Sequence, residues 1–327
     1  MVAILVLNWN GFEDTIQCLK SLLASDNQDF FIILGDNGST NGSLEHIECF
    51  LKSSSVEYCR VGYGDGNLLQ TPSKVMLYDL KMNNGFSRGN NLMLEVAFQY
   101  SPNYYLFLNN DTEVKPDFLD QLISFQKNHK SYKILTPLIY YYSYKDKIWN
   151  AGGKIKFGFR KYFYGDTVAA KFKENDFIEC SFVTGCALFV TPDVLYKNNK
   201  IFTERFFFGE EDFEFSMRQI REGNKMACVL DSIIYHKVSA SSAKHININK
   251  DFIYYLNRFV NIKMTFPKLK YYLWKLIYIP YIFILLLNKY SFSQCKNFLV
   301  RLLQESLKLE SVDKSYFEKV MRTKDLF

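Results

Sequence analysis

Apolar residues in this chain come in short unbroken blocks separated by stretches with helical spacing. Val2–Leu7, Phe30–Leu34, Val75–Tyr78 and Tyr104–Leu108 are too short for helices and closed by polar residues, which predicts strands buried on both faces of a parallel sheet. Phe12, Ile16, Leu19, Leu22 and Leu23 recur at helical spacing, as do Leu92, Met93, Val96 and Ala97. Another helix is expected from near Leu44, and one with Phe118, Leu119, Leu122 and Ile123 inward follows Pro116. The order is β-α-β, which predicts an α/β fold with a mostly parallel, Rossmann-like sheet flanked by helices. Ile134–Pro137, Phe182–Val190 with Gly185 inside it, Lys225–Leu230 and Ile233–His236 read as further strands. Residues 52–74 read as a surface loop, and 148–176 as a less regular lid or acceptor-side region.

The polar residues that close the strands carry the candidate chemistry. In open α/β sheets the ligand lies beyond the carboxyl ends of the strands, where Asn109, Asn110, Asp111 and Glu113 would project. One or two carboxylates holding a divalent ion that also binds substrate phosphates would suit this position. An Asx-type turn explains the same residues without a metal. Asp36, in the loop Gly35–Ser43, would either meet a base or ribose or cap its own turn. Asn83–Asn91 offers Gly85 for close backbone approach and Arg88 as a cation before a helix N-terminus, and a plain helix cap fits equally. Glu210, Glu211 and Asp212 follow Phe206–Phe208 and open a helix that Gly223 ends. The dipole alone does not account for three consecutive carboxylates, so one beside apolar walls would be a base; Glu214 and Arg218 form an i, i+4 pair. His236 reads as a structural His or a ligand, while His46, His129 and His245 suggest no role. No GxGxxG follows the first strand and no GxxxxGK[ST] occurs, which disfavours dinucleotide and P-loop readings.

Composition changes the picture at the C-terminus. With 327 residues, 48% hydrophobic and 17% aromatic, the chain can bury a large core. The net charge of +6 is uneven: residues 244–327 carry 15 Lys and Arg against 6 Asp and Glu, and the rest 25 against 28. That arrangement argues against nucleic acid and for a tail meeting an anionic membrane surface. Around Tyr271–Lys275 and the apolar run Leu276–Leu287, with Pro280 inside, stand Lys263, Lys268, Lys270, Lys275 and Lys289. The run is short for a span, so it reads as an interfacial segment with Trp and Tyr at headgroup depth, a buried hairpin or a homodimer surface. The 7 Cys form no CxxC pair, which fits free thiols in a reducing compartment. The N-terminus has no basic region or cleavage site ahead of its strand, so secretion is not expected.

Taken together, these stretches resemble the family 2 glycosyltransferases of the GT-A fold, in particular their rhamnosyltransferase-like branch. The resemblance runs from Val2 to about Arg258. It rests on Leu7–Gly11, Asp36–Ser39, Asn84–Phe86 with Gly89–Asn91, Leu108–Thr112, Asn150–Gly153, Thr184-Gly185, Glu211–Glu214 with Arg218, and Tyr235-His236, in order and spacing. By position Asp36 resembles the nucleobase contact, Asp111 the metal-binding Asp of the D-x-D-type motif and Asp212 the catalytic base. His236 resembles a metal or diphosphate contact. Asn8, Asn10, Asn84, Gly85, Arg88, Asn109, Asn110 and Gly185 would surround the donor, and Glu211, Glu214, Arg218 and Trp149 would contact the acceptor or support the site. Two departures stand out: Asn109-Asn110-Asp111 retains one carboxylate, leaving Asp111-Thr112-Glu113 as a rival, and Glu214 replaces the last Asp of E-D-x-D. The resemblance implies an inverting, Mn²⁺- or Mg²⁺-dependent transfer from a nucleoside-diphosphate sugar to a hydroxyl of a glycan or lipid-linked glycan, in bacterial surface polysaccharide synthesis. The alternative is a non-catalytic sugar-nucleotide or polysaccharide-binding protein on the same fold. The expected organisation is a GT-A domain over 1–243 and a basic helical region over 244–327, cytoplasmic and peripheral on the inner face of the membrane.

Overall fold

The apolar blocks become the middle of a mixed 11-stranded sheet in the computed structural model, which describes residues 1–62, 64, 70–165, 168, 176–196, 198–238, 247–323 and 327. β1 (Val2–Asn8) lies between β2 (Phe30–Asp36) and β5 (Tyr104–Asn109), parallel to both. β4 (Val75–Asp79) continues the parallel half, and β3 (Tyr58–Val61) forms its edge. The surface loop expected over 52–74 therefore contains a strand: Tyr58–Val61 is only half-buried, so no apolar block announces it.

Beyond β5 the direction alternates. β12 (Ala187–Val190) is antiparallel to β5 and to β7 (Tyr132–Tyr141), β13 (Lys225–His236) runs parallel to β7, and β11 (Phe177–Cys180) closes that edge antiparallel. β6 (Thr112–Val114) pairs with the end of β13, and β8 (Ile148–Asn150) with β7. The strand expected from Phe182 begins only at Ala187, because Phe182 bridges to Gly153 and the chain turns at Gly185. The two runs expected at 225–230 and 233–236 are one strand with an irregularity between Val229 and Ile233. β9 (Gly153–Lys156) and β10 (Phe159–Tyr162) form a separate ribbon joined by Phe157 and Gly158, both at positive φ as a tight two-residue hairpin requires.

Alternation along β1 assigns the faces: Val2, Ile4 and Val6 pack with α1 (Phe12–Leu23), α2 (Ser43–Ser53) and α4 (Phe118–Asn128), while Ala3 and Leu5 pack with α3 (Gly85–Phe98) and Phe215 of α5 (Glu211–Arg221). α3 starts before the loop expected over 83–91 is complete, so Arg88 lies in its first turn. The helix turns Asn91 inward, where its side chain bonds the backbone at Ile201 and Phe202.

A third core joins the C-terminal helices α6 (Ile248–Thr265), α7 (Lys268–Leu287), α8 (Phe292–Lys308) and α9 (Lys314–Arg322) to Phe182, Phe206 and Phe213. The expected boundary near 243 falls outside the described residues, and the tail shares buried side chains with the sheet-bearing part. α7 is longer than its apolar run implied, at 20 residues, and is the one helix among the described residues long and apolar enough to cross a membrane. Trp274, expected at headgroup depth, is 0% exposed and packs on Phe259 and Tyr278.

Candidate functional site

Parallel register brings the tips of β1 and β2 level, with Asn8 opposite Asp36. Both are buried, and Asn8 Nδ2 donates to Asp36 Oδ2 at 2.8 Å while Asp36 Oδ1 accepts the Ser39 amide at 2.9 Å. Asn8 Oδ1 accepts from the Gly11 amide and the Thr15 hydroxyl, and Asn110 Nδ2 donates to that hydroxyl at 2.9 Å. Asn10, at φ 56, accepts the Thr40 amide at 2.8 Å. Asn8, Asp36 and Asn110 thus shape the two loops at the sheet edge, and the turn-capping role of Asp36 is realised in the bond to Ser39.

The loop before α3 closes against them. Asn37 Oδ1 accepts the Asn84 amide at 2.9 Å, and Asn37 Nδ2 donates to the Gly85 carbonyl at 3.2 Å. Gly85 has φ +75, and a β-carbon there would stand 2.3 Å from the Phe207 carbonyl oxygen, so both torsion and space demand glycine. Arg88 is exposed one turn on, close enough to lower the Glu204 carboxyl, after the larger effects of burial and of bonds from Lys200 and Asn91.

Asp111 and His236 form the first charged centre. β6 pairs with β13 so that Thr112 lies opposite His236, and His236 Nε2 stands 3.1 Å from Asp111 Oδ1. The Trp149 ring meets the imidazole edge-on at 4.4 Å, and the Cys186 sulfur bonds it. Burial works to lower the imidazole pKa, but the Cys186 sulfur and the Asp111 carboxylate outweigh it and hold it at about 10. Asn109 anchors the same corner through its backbone, whose amide donates to the Cys186 carbonyl at 2.8 Å. Glu113 lies opposite Tyr235 in the register of β6 with β13.

Asp212 forms the second. It lies in the first turn of α5, after Gly209 and Glu210 at φ 88 and 70. Burial raises its carboxyl pKa, opposed by the Arg160 guanidinium, whose Nη1 is 3.5 Å from Oδ1. Burial and then Asp212 push the neighbouring Glu211 up to about 8, and Glu211 Oε2 is buried without a hydrogen bond. Behind them Glu210 and Arg258 form a buried pair: Arg258 Nη2 donates to Oε1 at 2.6 Å, Nε donates to Oε2, and the guanidinium lies 3.6 Å over Phe213.

The turn before β12 joins the two centres. A β-carbon on Gly185 would meet Phe86 at 3.3 Å and the Asp212 β-carbon at 3.9 Å, while the next residue, Cys186, holds His236. Glu214 and Arg218 lie beneath: they pair at 3.5 Å, Glu214 accepts the Tyr196 hydroxyl, and Arg218 donates to the Ile201 carbonyl at 2.7 Å. Arg160, Cys186 and Asn37 belong to the site and were not singled out from the sequence. Asn37, between Asp36 and Gly38, had the nearest thing to a signal; Arg160 stands among surface-like lysines.

The Asp111–His236 pair suits a divalent ion once the ion displaces the proton that the carboxylate otherwise holds on the imidazole. Neighbouring ligands of an octahedral ion at its usual bond length are about 3 Å apart, and carboxylate with imidazole is an oxygen–nitrogen donor set that Mn²⁺ accepts. No group of three or more His, Cys, Asp or Glu suited to a metal exists among the described residues. Such a sphere would be completed by water and substrate oxygens.

Solved structures with the same fold span nearly the whole chain. The mannosyltransferase PcManGT from Pyrobaculum calidifontis, in complex with GDP-Man and Mn²⁺, is 10% identical with a TM-score of 0.55, covering 98% of this chain and 82% of that one. S. aureus TarS 1-349 is 13% identical with a TM-score of 0.57, over 98% and 83%. GalNAc-T7 with UDP, GalNAc and Mn²⁺ is 14% identical with a TM-score of 0.61; it covers 98% of this chain, which spans 56% of that one. No curated protein matches in sequence. The family model described as glycosyl transferase family 2 matches residues 3–189, more than half of the 327. The chain is a member of glycosyl transferase family 2, and its sheet and helices form the GT-A fold expected of it.

Proposed function

We propose that the protein is an inverting, metal-dependent transferase that moves a hexosyl or rhamnosyl group from a nucleoside-diphosphate sugar to a glycan or lipid-linked glycan hydroxyl in bacterial surface polysaccharide synthesis. The observation that carries this reading is the Gly185-Cys186 turn, which stands against Asp212 on one residue and His236 on the next. That proximity supports a leaving-group site at Asp111 and His236 beside an acceptor-activating Asp212.

Asp212 is the base. Burial raises its carboxyl pKa, which makes its carboxylate a better proton acceptor, and the proton of the acceptor hydroxyl passes to it as that oxygen attacks the anomeric carbon. Asp111 and His236 would hold Mn²⁺ or Mg²⁺, which when bound supplies positive charge to the departing diphosphate. Two of the solved structures of this fold carry Mn²⁺ with GDP-Man or UDP, which supports that use. Asn84, Gly85, Arg88 and Asn109 face the donor, with Asn8, Asn10, Asp36 and Asn110 fixing the loops around it.

Peripheral membrane attachment through α7 belongs to the same reading. One side of α7 packs inward through Tyr271, Trp274, Tyr278, Ile282 and Leu286. The other leaves Leu269, Leu273, Leu276, Ile277 and Ile284 exposed, with exposed Lys268, Lys270 and Lys289 at the ends. A helix held along one side lies in an interface rather than across it.

The test is a panel of nucleotide sugars screened for protection against thermal unfolding with and without Mn²⁺, followed by release of nucleoside diphosphate from whichever protects. Metal-dependent protection and turnover by one donor are expected. Protection without any turnover under acceptor-containing extracts would favour the binding-protein alternative, which the lone carboxylate of Asn109-Asn110-Asp111 recommends. No protection by any nucleotide would end the reading.

A further inference from the structure

Between β10 and the helices α6 and α7 lies an open cavity of about 130 Å³, lined by Arg160, Tyr162, Tyr254, Arg258, Tyr278 and Tyr281 among others. It adjoins Asp212 through Arg160. Its two arginines differ in what they do. Arg258 is clamped by both oxygens of Glu210 and covered by Phe213. Arg160 is also nearly buried, at 10% exposed, with the rings of Tyr162 and Phe182 4.6 and 4.9 Å from its guanidinium carbon. Its contact with Asp212 is long, at 3.5 Å, whereas its bond to the Tyr254 hydroxyl is of ordinary length at 3.1 Å. A charge-assisted guanidinium–carboxylate bond is normally 2.7–2.9 Å, so the aromatic rings position Arg160 while Asp212 does not hold it.

Charge balance shows what this position would take. Arg160 and Arg258 face Glu210 and Asp212, two against two. If Asp212 accepts a proton from the acceptor, Arg160 loses its counter-charge at that moment. An anionic group on the acceptor itself would replace it and, by drawing the guanidinium away, leave the Asp212 carboxylate free for the hydroxyl. Tyrosine hydroxyls and ring faces around the arginine suit a sugar ring attached to such a group. We propose that this cavity is an acceptor subsite for a saccharide bearing a phosphate or phosphodiester within about one ring of the reacting hydroxyl, with Arg160 as the anion ligand. This rests on the assignment of Asp212 as base. Tyr281, which lines the cavity, is 46% exposed on the same helix that carries the apolar face, so a saccharide phosphate free in solution or on a lipid would suit the proposal.

The test is equilibrium binding followed by calorimetry at constant ionic strength, with glucose 6-phosphate, methyl glucoside and inorganic phosphate as probes. A lipid arm uses phosphatidylinositol in phosphatidylcholine vesicles against phosphatidylcholine alone. Glucose 6-phosphate or phosphatidylinositol is expected to bind at least tenfold more tightly than methyl glucoside or plain vesicles, and Arg160→Gln to remove at least tenfold of that affinity. Whichever arm responds identifies the source of the phosphate. Tyr281→Ala, at an exposed position, is expected to weaken binding several-fold and serves if Arg160→Gln does not fold. Equal binding by the wild type and a folded Arg160→Gln variant, equal binding of methyl glucoside, or no binding in either arm overturns the proposal. Nucleoside-diphosphate protection with Mn²⁺ is measured on the wild type in parallel; its failure strikes the donor reading and leaves the phosphosaccharide result to stand or fall by itself.

Discussion

Removing the Glu210–Arg258 pair one partner at a time should be far more damaging than removing both. Their side chains are 0% and 2% exposed, bonded through two arms, with a further bond from Arg258 Nη1 to the Gly158 carbonyl at 3.3 Å. Arg258→Met leaves a carboxylate in an apolar pocket, and Glu210→Gln leaves a guanidinium there. Each should destabilise by about 3–5 kcal/mol. The double variant puts thioether and amide into the same space, and should lose clearly less stability than either single variant does. Backbone strain works in the opposite direction: Glu210 has φ 70, a left-handed conformation that costs a non-glycine residue about 1–2 kcal/mol. Glu210→Gly relieves that strain yet loses the pair, so it should remain less stable than wild type. The assay is urea unfolding followed by fluorescence and by far-ultraviolet circular dichroism. The two signals should move together, since α6 contributes Arg258 to the core under Asp212. A loss below about 1 kcal/mol in either single variant, or a double variant no better than the worse single one, would refute the reasoning.

Asp212→Asn should abolish sugar transfer while nucleoside-diphosphate protection persists; retained turnover removes Asp212 from the mechanism. Asp111→Asn and His236→Ala should each eliminate the Mn²⁺-dependent part of nucleotide protection, and unchanged Mn²⁺ dependence in both would place the ion elsewhere. Glu211 is held protonated by burial and by Asp212, with its pKa pushed from 4.5 to about 8. A raised folded-state pKa means the folded protein binds the extra proton, so this contribution is full below about pH 4.5 and is lost as pH rises through about 8. Glu211→Gln should therefore flatten the fall in melting temperature between pH 5 and 8.5, and identical slopes would contradict the assignment. Leu276→Asp with Ile277→Asp, on exposed positions of α7, should reduce sedimentation with anionic vesicles several-fold and leave the melting temperature within a few degrees; undiminished sedimentation rules out that face.

The strands whose two faces are both buried were legible because burial on both sides leaves no alternation to confuse: Val2–Leu7 and Phe30–Leu34 lie within β1 and β2. Tyr58–Val61 escaped because an edge strand needs no unbroken apolar block. Asn83–Asn91 read as a loop because its polar residues are those that favour turns. Folded, Asn90 and Asn91 are buried helix residues, their polarity answered by the carbonyls of Phe86 and Phe202. Asp111, Asp212 and His236 could be picked out as polar residues closing apolar runs. What assembles them could not. Arg160 lies on a separate ribbon among residues of surface character, and Cys186 is a single thiol in a run of hydrophobes. Their pairing with Asp212 and His236 is set by tertiary placement, on which neither periodicity nor composition bears.

The same distinction bears on the tail. Its basic composition suggested a helical region meeting an anionic surface, and its contacts also reach Asp212 and the loop before α3. Near Asp212, α6 and α7 provide Tyr254, Arg258 and Tyr281 to the cavity, and Trp274 packs against the Gly158 turn of the ribbon that carries Arg160. Near Gly85, the Phe207 amide donates to the Val312 carbonyl at 2.9 Å and the Val312 amide to the Arg205 carbonyl at 2.8 Å. That backbone pairing fixes the Phe207 carbonyl against Gly85, and Lys314 Nζ bonds the Asn83 carbonyl at 2.9 Å. A polypeptide ending near residue 243 would keep Asp111, His236 and Asp212 in its sequence. It would lose the groups that buttress the first turn of α5 and the loop before α3. The positive charge is therefore of two kinds. Arg258, Lys314 and Lys289, whose Nζ bonds Asp251 at 2.9 Å, are tied into the fold, whereas Lys268 and Lys270 stand exposed at the start of α7.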